Sequence, residues 1–276
     1  MPSVSVCIAN YKQDQFLQEA IESSKMQTVA HDIVIYNDQD GVGSGEAFNR
    51  AIDASTGDIV ILLCADDKFI DRNVIADILK AFEDMAVGHV SRYYYQFIDG
   101  KNYPVRAWRG KDVIELANNP SGLAFRRKAL TGNRLTNKMF VEAPTLVADV
   151  LAAGWDYKIL PYDTVAVRIH NSTARSKDYY LKNWVTSPVE EWAKIGGRKL
   201  LTDYTSLIQI KNYFTTSAVL KECWNFIRLR PLNLINPGFW FFSMIALLAP
   251  RSVLYHIPDF YRRTWGQFFT SRVERP

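Results

Sequence analysis

Along the first ninety residues the apolar positions switch between two periods. SVSVCIAN (3–10), DIVIYND (32–38) and DIVILLCA (58–65) are short runs rich in Val, Ile and Leu, the pattern of buried strands. Between and after them, DQFLQEAIESSKMQ (14–27), GEAFNRAIDAST (45–56) and DRNVIADILKAFED (71–84) space their apolar residues by three and four. Phe16, Leu17, Ala20, Ile21 and Ser24 share one helical face, with Asp14 as the N-cap. Val74, Ile75, Ile78, Leu79 and Phe82 share another, capped by Asp71. Strands alternating with helices of this length predict βαβ units around a mostly parallel sheet.

Past residue 90 the texture changes. HVSRYYYQFID (89–99), the polar stretch to Asn119 and SGLAFRRKAL (121–130) predict mixed strands and loops. PTLVADVLAAG (144–154) predicts a helix stopped by Gly154 at C′. YKILP (157–161) and TVAVRIH (164–170) predict two further strands, and from about residue 176 the pattern is helical and amphipathic.

The 276 residues, 48% hydrophobic and 22% charged, suit one large domain with an appendage, or two small domains. Cys7, Cys64 and Cys223 lie far apart with no CxxC or CxxH spacing. This argues against a disulfide framework or a structural zinc site and for a reducing compartment. No basic n-region or cleavage site opens the sequence, so no signal peptide is expected. The net charge of +4 is unevenly placed: from Lys221 onward there are eight Lys/Arg against three acids, together with 12 of the 36 aromatic residues. A basic, aromatic-rich tail on a near-neutral body suggests an anionic surface as partner.

Three predicted strands end in polar side chains: Asn10-Tyr11, Asn37-Asp38 and Asp66-Asp67. Ligands of open α/β sheets bind outside the carboxyl ends of the strands, so all three would share one rim. A single Asp there is as readily a turn residue or cap; three such ends together point to a binding site. The adjacent Asp66 and Asp67 repel one another and resist burial, so a cation is expected beside them. DGVGSGE (40–46) looks at first like a dinucleotide fingerprint. It follows the second strand rather than the first and has Glu46 where the last glycine belongs, so a Rossmann oxidoreductase is not expected. Its glycines either let the backbone pass close to a ligand or only turn the chain.

These pieces together resemble the family 2 inverting glycosyltransferases of GT-A fold. The likeness rests on SVSVCIANY…SSKMQT, Asn37-Asp38, Ala47-Phe48-Asn49, CADD (64–67), SGLAFRRKAL and VRIHNS (167–172), in the family's order over about residues 3–175. It implies an α/β GT-A fold with a Rossmann-like, mostly parallel central sheet, flanking helices and a helical C-terminal extension. The transferase domain would span 1–175, with a donor half of about 1–90 and an acceptor half of about 91–175, and the extension would span 176–276. It also implies a nucleotide-diphosphate sugar as donor, a glycan or lipid-linked glycan as acceptor, and hexosyl transfer in bacterial surface-polysaccharide assembly. Nucleic acid is not expected as a partner, because the basic residues of the tail are spread among long apolar stretches. A nucleotidyltransferase is disfavoured, because no Gly-rich loop bearing Arg or Lys follows the first strand.

Residue by residue, the resemblance implies that Tyr11 stacks on the base and Asp38 bonds its edge, with Asn10 and Asn49 among the donor-binding residues. Asp66 would lie by the ribose or diphosphate. Asp67 and His170 would hold a divalent metal, Mn2+ or Mg2+, which suits hard oxygen ligands, and Arg168 and Arg175 would face phosphate. His170 could instead be a packed structural histidine. Two departures stand out. Cys64 replaces a frequent Asp, and reads as a small buried residue rather than a soft ligand. Glu142-Ala143 replaces the family's Glu-Asp, whose Asp is the usual base. Glu142 remains as a candidate base, or as only a helix-dipole partner. A nucleotide-sugar-binding protein without turnover is therefore the rival reading.

Between Arg230 and Arg251 lie 20 uncharged residues, of which Pro231, Asn233, Asn236 and Pro237 break the first third. The remaining GFWFFSMIALLA (238–249) spans about 18 Å of helix, against roughly 30 Å for a bilayer. Two readings stand for the tail: an interfacial segment on a membrane, or a helix packed on the transferase domain. With the first, the protein would be cytoplasmic and peripheral on the inner face of the plasma membrane.

Overall fold

The computed structural model describes residues 1–99, 106–108, 112–137, 142–170 and 216–249, with isolated helical residues at 190, 193, 194 and 207. The first half follows the alternation in the sequence: β1 (Val4–Asn10), α1 (Asp14–Lys25), β2 (Asp32–Asn37), α2 (Ser44–Ala54), β3 (Ile59–Cys64), β4 (Lys68–Phe69) and α3 (Val74–Ala81). The second half holds β5 (Val87–Phe97), β6 (Arg106–Trp108), α4 (Val113–Leu116), β7 (Ala124–Arg126), α5 (Glu142–Ala152) and β8 (Asp156–Arg168). Two helices close the described chain, α6 (Thr216–Leu229) and α7 (Pro237–Leu248), joined by a 3-10 turn at Pro231–Ile235.

The strands form one mixed sheet in the order β2-β1-β3-β7-β5-β8-β4, with β6 paired to β5. The long ladders are parallel, β1 with β2 and β3, and β5 with β8. β7 is antiparallel to both β3 and β5, so β8 runs in the same direction as β1 and β3. Their carboxyl ends therefore emerge on one rim. Side chains alternate across the sheet. Val4, Val6, Ile8, Ile59, Ile61 and Leu63 enter one core with α1 and α3 residues. Cys7, Val60 and Leu62 enter a second core with α2, α4 and α5 residues. A third, smaller cluster of Val219, Phe226, Phe239 and Ala246 joins α6 to α7. The domain boundary expected at 175 lies outside the described residues.

Four details differ from expectation. DIVIYN (32–37) is an edge strand with its residues exposed or half-buried, because among the described residues no strand pairs beyond β2. YKILP and TVAVRIH are one strand, β8. The ladder with β5 passes from Arg92↔Leu160 to Tyr93↔Asp163, so the chain bulges past Pro161, which has no N–H to donate. Asp14 lies inside α1 rather than capping it; Gln13 holds the N-cap position without a side-chain bond. Asp71 bonds the Asn73 amide at 2.6 Å, and Asn73 holds the N-cap position of α3.

Candidate active site

The parallel register sets Asn10 opposite Asn37 and Ala9 opposite Cys64, so the polar strand ends meet on the rim. Asn10 is buried and fully engaged. Its amide donates to Asp14 (2.7 Å) and Asn37 (3.0 Å), and its oxygen accepts from the Gln13 amide (3.1 Å). These bonds tie β1 to α1 and β2, so Asn10 shapes the rim. Tyr11 follows, with Lys12 in the left-handed region at φ 54 and its Nζ 5.2 Å from the Tyr11 ring centroid. Asp38 is buried and accepts from the amides of Val42 (2.9 Å) and Gly43 (3.3 Å), which folds the glycine turn around its carboxylate.

The glycines of DGVGSGE admit the chain itself. A Cβ on Gly43 would stand 2.7 Å from Asn137 Oδ1, and one on Gly45 would stand 2.1 Å from the Thr136 carbonyl oxygen. Asn49 serves the same join: its amide donates to the Leu135 carbonyl (2.9 Å) and its oxygen accepts from the Leu135 amide (3.0 Å). Placed among the donor-binding residues in the sequence, Asn49 instead has both ends of its side chain committed to the backbone.

The acid pair divides into two environments. Asp67 is buried, and each of its oxygens is taken: Oδ2 accepts from Ser121 Oγ at 2.5 Å and Oδ1 from the Arg168 amide at 2.9 Å. Burial, and then the neighbouring Asp66 charge, push its carboxyl up to about 8. Asp66 keeps a quarter of its side chain exposed, and its Oδ2 stands 2.8 Å from His170 Nε2. The imidazole packs on Phe16 at 4.7 Å between centroids. Its other nitrogen, Nδ1, is buried without a hydrogen-bond partner among the described residues.

Cations do stand beside the acids, and they belong to the protein. Arg92 is fully buried and donates to the carbonyls of Leu116 (2.9 Å), Asn119 (2.9 Å) and Ser121. Its guanidinium is held down to about 10 by burial, an effect that Tyr94 and Asp67 oppose. Arg168 donates from Nε to the Asp66 carbonyl (3.1 Å) and pairs with Glu19 and Asp99. The rings of Phe16 and Phe97 lie 4.5 and 4.7 Å from its guanidinium. Expected to face phosphate, Arg168 is instead buried and enclosed by carboxylates and rings. Arg175 lies outside the described residues.

Ligand atoms of Cys64, Asp66 and Asp67 fall within 4.8 Å of one another, but the three are not equivalent. Burial, and then the charges of Asp67 and Asp66, push the Cys64 thiol well above its ordinary range, and its sulfur is a soft donor that suits a hard divalent cation poorly. Asp67 has both oxygens occupied. Asp66, a quarter exposed and with its Oδ2 2.8 Å from His170 Nε2, offers with that nitrogen one hard oxygen and one imidazole donor to a divalent cation. The sequence named Asp67 and His170 as the metal pair; of the two acids it is Asp66 that is partly open and that meets His170.

Glu142 opens α5, with Ser44 Oγ at 3.5 Å from its carboxylate. Ala143 is 1% exposed and packs in the core with Leu146 and Val147. Sequence reasoning missed Ser121, Arg92 and Glu19. Ser121 had a signal, as the first residue of SGLAFRRKAL; Arg92 and Glu19 had none, because their partners are remote in sequence.

A mixed sheet with its parallel ends on one rim, flanked by helices, is the architecture of the GT-A fold. The model of Glycosyl transferase family 2 matches residues 31–143 of this chain. Staphylococcus aureus TarS, residues 1–349 in complex with UDP-GlcNAc, superposes with a TM-score of 0.54 at 12% identity, covering 98% of this chain and 93% of that one. The mannosyltransferase PcManGT of Pyrobaculum calidifontis, in complex with GDP-Man and Mn2+, superposes at 0.52 with 15% identity, covering 96% and 83%. At these identities the likeness shows the fold. No curated protein matches the sequence.

Proposed function

We propose that the chain is an inverting glycosyltransferase that moves a hexosyl group from a nucleotide-diphosphate sugar to a glycan or lipid-linked glycan acceptor, in surface-polysaccharide assembly. The observation that carries this is the Asp66–His170 pair, with Asp66 a quarter exposed, on the rim where β1 and β2 end in Asn10-Tyr11 and Asn37-Asp38. The donor class is supported by the similar structures, which were solved with UDP-GlcNAc and with GDP-Man.

In this reading Tyr11 gives the base an aromatic face, and Asp38 fixes the loop around it while keeping acceptor lone pairs for its edge. Asp66 and His170 would hold Mn2+ or Mg2+, which would supply charge neutralisation for the diphosphate leaving group. Asp67 does not reach the ligand; with Ser121 it fixes the strand end that aims Asp66. Asn10 and Asn49 position the rim and the glycine turn. Glu142 takes the proton from the acceptor hydroxyl as it attacks the anomeric carbon in one displacement, which inverts its configuration.

Ala143 favours a second reading, a protein of the same fold that binds nucleotide sugars without turnover. Release of nucleoside diphosphate from a panel of donor sugars, with and without Mn2+, separates the two. An enzyme turns over at least one donor and loses that activity in Asp66→Asn. No release from any donor, in a protein that still binds one, selects the second reading.

A further inference from the structure

Helices α6 and α7 carry an apolar face that the described residues leave uncovered. On α6, Val219, Glu222, Asn225 and Phe226 are buried, whereas Leu220 is 54% and Trp224 62% exposed. At about 100° of rotation per residue, Leu220 and Trp224 fall on one stripe, with Lys221 and Arg228 directly along its border. Both of these basic residues are exposed, and Arg228 pairs with Glu190.

On α7, Phe239, Ser243 and Ala246 are buried. Trp240, Phe241, Met244 and Leu248 are exposed, two of them above 60%. They span an arc of about 100°, opposite the buried side. The 3-10 turn between the helices adds exposed Leu232, Leu234 and Ile235. Asn233, in the same turn, is buried and donates to the Phe226 carbonyl at 2.8 Å. The turn is thus pinned to α6 by its one polar side chain, and its leucines and isoleucine face outward.

We propose that this face docks on an anionic lipid surface, with α7 lying in the plane of the interface. Three observations favour lipid over other occupants. The exposed set mixes two tryptophans with long aliphatic chains, the composition suited to a headgroup boundary. No acidic residue lies between Glu222 and Asp259, while Arg228, Arg230 and Arg251 do, so the charge complements anionic headgroups. No described helix is long and apolar enough to cross a membrane, which leaves lying on the surface. The inference stands independently of the catalytic reading, because it uses no residue of the rim.

The test is co-sedimentation of the full chain with vesicles of phosphatidylcholine alone and with about a third phosphatidylglycerol. A triple variant, Trp224→Ser with Phe241→Ser and Leu248→Ser, is run beside it and checked for an unchanged circular-dichroism spectrum. The three side chains are largely exposed, and a second variant, Trp240→Ser with Met244→Ser, replaces it if the spectrum changes. The expected result is binding to the anionic vesicles, weakened at least tenfold in the variant and weak on neutral vesicles. Absence of vesicle binding, or binding that the variants leave unchanged, overturns the proposal. Equal binding to both vesicle types overturns the choice of an anionic surface. Concentration-dependent dimers that the variants dissolve, without lipid binding, assign the face to a second copy instead.

Discussion

Ser121 and Asp67 are joined by a 2.5 Å hydrogen bond from hydroxyl to carboxylate, 54 residues apart in sequence. The same hydroxyl accepts from the Cys64 amide at 2.9 Å. One side chain thus holds both the end of β3 and the buried member of the acid pair. Ser121→Ala leaves the Cys64 amide and one oxygen of Asp67 without these partners. The expected cost is about 1–3 kcal/mol, read by urea unfolding. Unchanged stability would mean that this network does not hold the strand end.

Asn49→Ala strips both polar groups of Leu135 of their side-chain partner. We expect a loss of about 2 kcal/mol or more in unfolding free energy, with donor affinity in the surviving folded protein near wild type. A selective loss of donor affinity at unchanged stability would restore Asn49 as a direct donor contact.

Glu142→Gln tests the base. If Glu142 takes the acceptor proton, turnover falls by roughly 10²–10⁴ while donor affinity holds. An unchanged rate leaves Glu142 as a partner of the helix dipole. Ala143→Asp is no simple restoration of the family's pair: its carboxylate would enter an apolar core. We expect it to cost about 2 kcal/mol or more, seen as a lower melting temperature.

His89 gives the pH dependence. Its ring is fully buried, stacks on Phe125 at 4.6 Å and bonds the Ala124 carbonyl at 3.0 Å. Burial pulls its pKa down to about 3 from 6.5. Below the unfolded value the unfolded chain takes up a proton that the folded chain refuses. Stability is therefore full above about pH 6.5 and falls toward the folded value, by up to ~1.4 kcal/mol per pH unit. Urea unfolding between pH 7 and pH 4 should show this slope, and His89→Gln should flatten it.

Most of the architecture was legible because its elements carry strong periods. The alternating core of β1 and β3 and the helical faces of α1 and α3 are local patterns, and they fold as read. What failed depended on neighbours. DIVIYND looks buried by composition, yet its position at the sheet edge leaves Ile35 37% exposed. Pro161 looks like a strand break, but a bulge absorbs it because β5 continues alongside. The site divides in the same way. Asp66 and Asp67 were visible at a strand end, whereas their roles are set by Ser121 and by the β8 backbone, which pairs with β4 from about a hundred residues away. Arg168 looked available for phosphate because Glu19 and Asp99, which engage it, are distant in sequence.

The most direct test of the central claim is thermal stabilisation by nucleoside diphosphates, measured with and without Mn2+ on the wild type and on Asp66→Asn. At least one nucleoside diphosphate is expected to raise the melting temperature of the wild type only when Mn2+ is present, and Asp66→Asn to abolish the shift. Absence of a shift with every base, or a full shift in Asp66→Asn, would contradict it.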